Sequence, residues 1–159
     1  MSAIEVSYKS IQLLILFLLL ILNIGNFILF FIQFDNRLAY LILPIDKSFS
    51  LICHQQSSKL FNYFTFHTLL CSRCTGIYLG GITALISILI GIKLKISKLE
   101  LFYTSIFLML SDIIFYTSGI YNYSQWIALI TGFLFGIAAL NLLMISLQNL
   151  IKEINSENF

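Results

Sequence analysis

The sequence predicts an all-α, polytopic integral membrane protein with four transmembrane helices and a long Cys/His-containing loop between the first and second. Three observations carry that prediction. Of 159 residues, 59% are hydrophobic and 10% charged, against about 25% charged in an ordinary soluble domain. Four runs, at residues 11–32, 75–92, 101–118 and 126–147, come close to or exceed the roughly 20 apolar residues that a helix needs to cross a bilayer core. Between the first two lies a polar segment, 33–74, that holds all three cysteines and both histidines. A single membrane domain over 1–159 is expected, in contact with the lipid bilayer. A formal charge of +2 gives no footing for nucleic acid.

The run 11–32 is 22 residues without a charge. It is longer than the roughly 7 to 15 residues of a signal-peptide core, and no small-residue cleavage site follows, so it reads as a retained anchor. Asn23 and Asn26 flank Gly25 inside it. Amides are costly against lipid, so this helix is expected to turn a polar face toward its neighbours. In the loop, 38–43 and 49–53 are apolar but too short to cross, with Pro44 between them, and read as interfacial or re-entrant pieces packed on the bundle. Residues 61–66 alternate aromatic with polar and suit either a short strand or an interfacial aromatic belt.

The second span starts beside Cys71 and Cys74 and ends at a turn carrying Lys93, Lys95 and Lys98. The third contains Asp112. Uncharged residues 119–125 lead to Trp126, an interfacial anchor, and the fourth span, after which the tail 148–159 is polar and reads as a frayed helix end. Lysines in the second turn, with Lys9 and Lys152, mark that turn and both termini as cytoplasmic under the positive-inside rule, and alternation then places the Cys/His loop on the outer side of the cell membrane.

Cys53-His54-Gln55 and Cys71-Ser72-Arg73-Cys74 supply the residues for chemistry. Cys53, His54, Cys71 and Cys74 make the four soft or borderline donors of a tetrahedral zinc or other transition-metal site. Adjacent Cys53 and His54 point to opposite sides of an extended chain, which leaves His67 as an alternative fourth ligand. Thiol redox is the competing reading: a helix N-terminus and the Arg73 cation lower the pKa of a thiol at Cys71, with Cys74 and Cys53 as exchange partners. A disulfide that only pins the loop to the second helix accounts for the same cysteines. Asp112 is the only acid inside a span and needs a partner. Its depth, counted from the lysine turn, puts it in the half of the third span nearest Arg73, so an Arg73–Asp112 pair is expected. Gly76-x-x-x-Gly80 and Gly132-x-x-x-Gly136 allow the second and fourth helices to cross closely, bringing Tyr78 and Thr131 toward the polar interior; such small-residue faces also suit homo-oligomer contacts.

At these residues the chain resembles the domain of unknown function 2085 family of small membrane proteins, whose signature is a Cys-His-Gln triplet, then Cys-x-Arg-Cys-x-Gly-x-Tyr-x-Gly, a membrane Asp and a late Thr-Gly. Cys53-His54-Gln55, Cys71 to Gly80, Asp112 and Thr131-Gly132 match it. Where relatives carry arginine, glycine and arginine, this chain has Lys59, Ile113 and Ala128. The resemblance implies a polytopic membrane protein with the Cys/His/Arg cluster as its site, and it implies no activity. Metal binding is the leading expectation, thiol–disulfide exchange the alternative, and a small-solute transporter component a second alternative. Neither an enzymatic reaction nor a particular small-molecule or ion ligand follows from the residues.

Overall fold

Apolar side chains face outward and polar ones inward, the reverse of a soluble domain. Phe17 and Phe107, in the middle of long helices, are 62% and 72% exposed, while Asn23, Asn26, Thr75, Asp112, Thr131 and Asn141 are buried. Lipid is the solvent that makes this arrangement stable, because an amide or carboxyl left against hydrocarbon costs several kcal/mol on the order of magnitude of an unmade hydrogen bond. The computed structural model describes residues 3–33, 36–63, 66–91 and 98–157. Its elements in chain order are α1 (Ala3–Asn26), α2 (Ile28–Ile32), a 3₁₀ segment (Asn36–Leu41), α3 (Ile42–Ser50) and a 3₁₀ turn (Ser57–Lys59). Then follow β1 (Leu60–Tyr63), β2 (Phe66–Cys71), α4 (Ser72–Ile90), α5 (Lys98–Thr117) and α6 (Gln125–Glu157). Four stretches are long and apolar enough to cross a bilayer: Tyr8–Asn26, Ser72–Ile90, Leu99–Thr117 and Gln125–Ile151.

These helices occupy the four expected runs with shifted ends. α1 begins before the apolar run and stops at Asn26, whose side chain is drawn off to α4 and β2; Phe27 then makes a one-residue break before α2. α4 starts at Ser72 because Cys71, with extended φ −62° and ψ 154°, serves as its N-cap. It ends at Gly91, which takes the left-handed conformation (φ 85°) that glycine tolerates best. α6 runs 33 residues, about 50 Å at 1.5 Å per residue, so it must project beyond a core about 30 Å thick. Lys93 and Lys95 of the expected basic turn lie outside the described residues.

α4 and α6 cross with their backbones in contact. A Cβ added at Gly76 would collide with the Leu129 carbonyl, at Gly80 with that of Phe133, at Gly132 with that of Arg73 and at Gly136 with that of Ile77. Four glycines on two facing ridges therefore let the two helices approach backbone to backbone, as their spacing predicts. α5 packs on α6 through Phe102 and Phe135, whose rings lie 5.9 Å apart. α1 crosses α4 with Leu19 against Gly81, and the Tyr8 hydroxyl donates to the Met144 carbonyl at 3.2 Å.

The loop folds back onto this bundle. Pro44 does not separate two pieces as expected from sequence; it sits in the first turn of α3, where a missing N–H leaves no bond unmade. Ile45 and Phe49 of α3 lie on Gly25 of α1. The segment with the alternating pattern is not one strand: 61–63 lie in β1 and Phe66 opens β2, with residues 64 and 65 outside the described residues, and the two strands pair antiparallel with Leu60 opposite Cys71 and Asn62 opposite His67. Hydrogen bonding ties this hairpin to the start of α6, where Asn62 N donates to Gln125 Oε1 at 3.2 Å, and the Phe61 ring meets Trp126 edge-on.

Candidate functional site

Three short segments end at one place. The chain leaves α3 with Cys53 N donating to the Phe49 carbonyl at 2.9 Å, which turns the Cys53 side chain into a buried cluster with Ile28, Phe49, Leu69 and Leu70. Cys71 closes β2 and caps α4, and its N–H donates to Cys53 Sγ at 3.4 Å. Cys74 follows in the first turn of α4, on the face packed against the same cluster. The three sulfur atoms lie within 4.8 Å of one another, and none is in a disulfide.

Buried polar side chains hold these segments in register. Asn26, released by the break after α1, accepts from Leu70 N at 2.8 Å and donates to Thr75 Oγ1 at 3.1 Å, so one amide joins α1, β2 and α4. Thr68 Oγ1 donates to the Leu70 carbonyl at 2.7 Å and accepts from Phe61 N at 3.2 Å, and Ser72 Oγ donates to the Lys59 carbonyl at 3.1 Å. Gln55 adopts φ 43°, a left-handed conformation that is uncommon outside glycine. Its Nε2 donates to Asp46 Oδ1 at 2.9 Å and the Leu69 carbonyl at 3.3 Å, which anchors the turn after Cys53 to both α3 and β2.

Electrostatics single out Cys71. Hydrogen bonding from the Cys74 thiol, with smaller help from the Cys74 and Arg73 backbone and from Cys53, brings its thiol down from 9.0 to about 5 against the opposing effect of burial. A helix N-terminus favours the same anionic form. Arg73, between Cys71 and Cys74, pairs with Asp112 of α5 as expected from depth. The other carboxylate oxygen of Asp112 accepts from the Tyr121 hydroxyl. Side-chain exposure is 4% for Asp112 and 21% for Arg73, so the carboxylate is the desolvated partner. Asp112, Tyr121, Ser111 and Thr131 share the wall of a cavity of about 250 Å³ beside this pair. Tyr123 donates to the Lys59 carbonyl at 3.4 Å, and burial pushes its phenol above the ordinary value.

The arrangement therefore joins Cys53, Cys71 and Cys74, with Tyr78 packed against their cluster. His54 and His67 are exposed and lie outside the trio. Gln55 braces the turn, while Gly76, Gly80, Gly132 and Gly136 serve the helix crossing. Sequence reasoning missed Tyr121, Tyr123 and Asp46. No signal marks them, since each acts through a partner that only the fold supplies. Asn26 was readable as an amide needing a partner, and its two partners, Leu70 N and Thr75, were not.

A family model described as Predicted membrane protein (DUF2085) matches residues 53–142, the stretch from the first cysteine through most of α6. Neither a curated protein nor a solved structure matches the chain.

Proposed function

This chain belongs to the DUF2085 family of membrane proteins, and from that premise we propose that it binds a soft or borderline transition-metal ion, zinc or a similar ion, through Cys53, Cys71 and Cys74. The observation that carries the reading is the approach of Cys53 to the Cys71–Cys74 pair at the start of α4, with the three sulfurs within 4.8 Å of one another. Two sulfurs on one tetrahedral zinc stand about 3.8 Å apart for bonds of about 2.3 Å. Closing the trio on an ion needs movements of about 1 Å or less. The Cys71 N–H directed at Cys53 Sγ supports the reading, because such a bond stabilises a thiolate. Three protein donors leave one coordination position for water, a ligand or the ion's next holder, which distinguishes a site that handles metal from a closed structural one. Arg73, between Cys71 and Cys74 in sequence, turns its guanidinium to Asp112, which Tyr121 also holds, so this pair fixes the start of α4 against α5. The lysines of the second turn favour cytoplasmic termini, with the thiols at the outer end of the bundle.

Elemental analysis of protein purified in mild detergent without chelator, with a count of free thiols, tests the reading. One ion per chain that is lost in Cys71→Ser supports it. Metal-free protein that takes up no added zinc or copper(I) with its thiols reduced overturns it.

A second reading rests on the Cys71 and Cys74 thiols at the start of α4, both unpaired and within reach of Cys53. The Cys71 thiolate attacks a partner disulfide, forming a mixed disulfide and expelling one partner thiolate. Cys74 or Cys53 then displaces the second partner sulfur, leaving the partner reduced by two electrons and this chain with one intramolecular disulfide. One free thiol before reduction and three after, with no metal, would favour this reading.

A further inference from the structure

We infer that α3 and the 3₁₀ segment before it form a foot seated in the lipid leaflet next to the thiol cluster, with a phospholipid chain in the groove between this foot and α1. Spacing of 100° per residue divides α3 into three faces. Ile45 and Phe49 pack on Gly25 at the end of the first span, which fixes the depth of the foot at the boundary of the apolar core. On one flank, Asp46 and Ser50 are polar, and Asp46 is held by Gln55. On the side turned away from Gly25, Leu43, Lys47 and Leu51 make one ridge, with Leu43 72% and Leu51 88% exposed, and Tyr40 just before α3 is 87% exposed.

Water is the wrong solvent for that ridge, and its pattern names the right one. A lysine between two leucines at i and i+4 spacing can lay its stem along lipid while its ammonium reaches a headgroup phosphate. On the opposite side of α3, against α1, an apolar groove of about 500 Å³ has Ile21 and Ile24 of α1 as one wall and Leu38, Leu41 and Ile45 as the other. Ile21 and Ile24 belong to the bilayer-facing side of the first span, so the groove continues the surface that lipid already covers. The consequence reaches the site: α3 delivers Cys53 and braces Gln55, so the thiol cluster is assembled partly on an element held by the membrane surface. The inference stands whichever chemistry the thiols serve.

Depth-resolved fluorescence quenching of the full chain in phosphatidylcholine nanodiscs tests it. Trp126 is the only tryptophan, so Trp126→Phe gives a dark background. Into it go Leu51→Trp and Leu43→Trp. For the two leucine sites the expected result is blue-shifted emission that is lost when the lipid chains are brominated and is unaffected by iodide, as suits side chains about 5–10 Å into the interface. Iodide quenching at Leu51 and Leu43 would overturn the inference in favour of water. Protection from both quenchers would overturn it in favour of a second protein copy. Leu43 serves as an independent reporter should the Leu51 variant fail to fold.

Discussion

At the scale of single residues, the site is a matter of two charges. Cys71 falls to about 5 chiefly because the Cys74 thiol donates to it. In metal-free protein, alkylation at Cys71 by iodoacetamide should therefore proceed at a nearly constant rate from neutral pH upward, and should fall tenfold per unit only below about pH 5. In Cys74→Ala the donor is gone, so the midpoint should move up toward 9.0; mass spectrometry of the labelled peptide across pH reads both profiles. The sign for stability follows. A folded-state value below 9.0 means the thiolate contributes stability that is fully present above pH 9 and is lost as pH falls toward about 5. The second charge is Arg73. Breaking its pair with Asp112 leaves a desolvated charge, at a cost of about 3 kcal/mol, the low end for buried pairs because Arg73 is partly exposed. Asp112→Asn and Arg73→Gln should each lower unfolding stability by that order, and the double variant should lose little more than either. Additive losses in a mutant cycle would show that the two side chains act independently.

Individual elements separate what the sequence could express from what it could not. The crossing of α4 and α6 was legible, because glycines four apart on two helices state their own reason: only backbone hydrogens fit where the carbonyls of Leu129, Phe133, Arg73 and Ile77 approach. Gly76→Ala and Gly136→Ala should each cost about 3 kcal/mol, the upper part of the usual range for overpacking, because a backbone carbonyl cannot swing aside. Gly81→Ala is the control. Its new Cβ would meet a Leu19 methyl at 3.4 Å and a Leu140 methyl at 3.8 Å, both ordinary side-chain contacts, so thermal unfolding in detergent should shift little. Four apolar runs were equally plain, as was the pairing of Asp112 with Arg73, since a lone acid in a span demands a cation at its depth. The loop was not legible in the same way. That 61–63 belong to one strand and Phe66 to its partner depended on β2 pairing back on β1, and that register is held by Thr68, Ser72 and Asn26 through bonds with distant backbone groups. That His54 turns away from the cysteines was legible from its adjacency to Cys53, whereas the exposed position of His67 outside the trio was not. His54 follows Cys53 directly, and the turn that buries one exposes the other.

Taken as a whole, the molecule has two unlike ends, and which end faces the cytoplasm selects between the chemistries. Four crossings put both termini on one side. The thiol trio, the hairpin and the α5–α6 turn gather at the other, joined by Tyr121 to Asp112, Tyr123 to the Lys59 carbonyl and Asn62 to Gln125. Lys9 and the turn with Lys93, Lys95 and Lys98 then argue for an outer thiol end, although Lys47, Lys59 and Arg73 sit at that end with work of their own to do. Alkaline phosphatase fused after Asn122 should accordingly be active, and green fluorescent protein fused at the C-terminus should fluoresce. The opposite pair of results would place the trio in the cytoplasm. That outcome would bear directly on function, because a reducing compartment keeps three neighbouring thiols free to hold a metal, whereas an oxidising one drives any two of them toward a disulfide unless an ion occupies them first. With the trio outside, retention of three reduced thiols after isolation in air would itself require that ion, and its removal by chelator should be followed by loss of two thiols to oxidation.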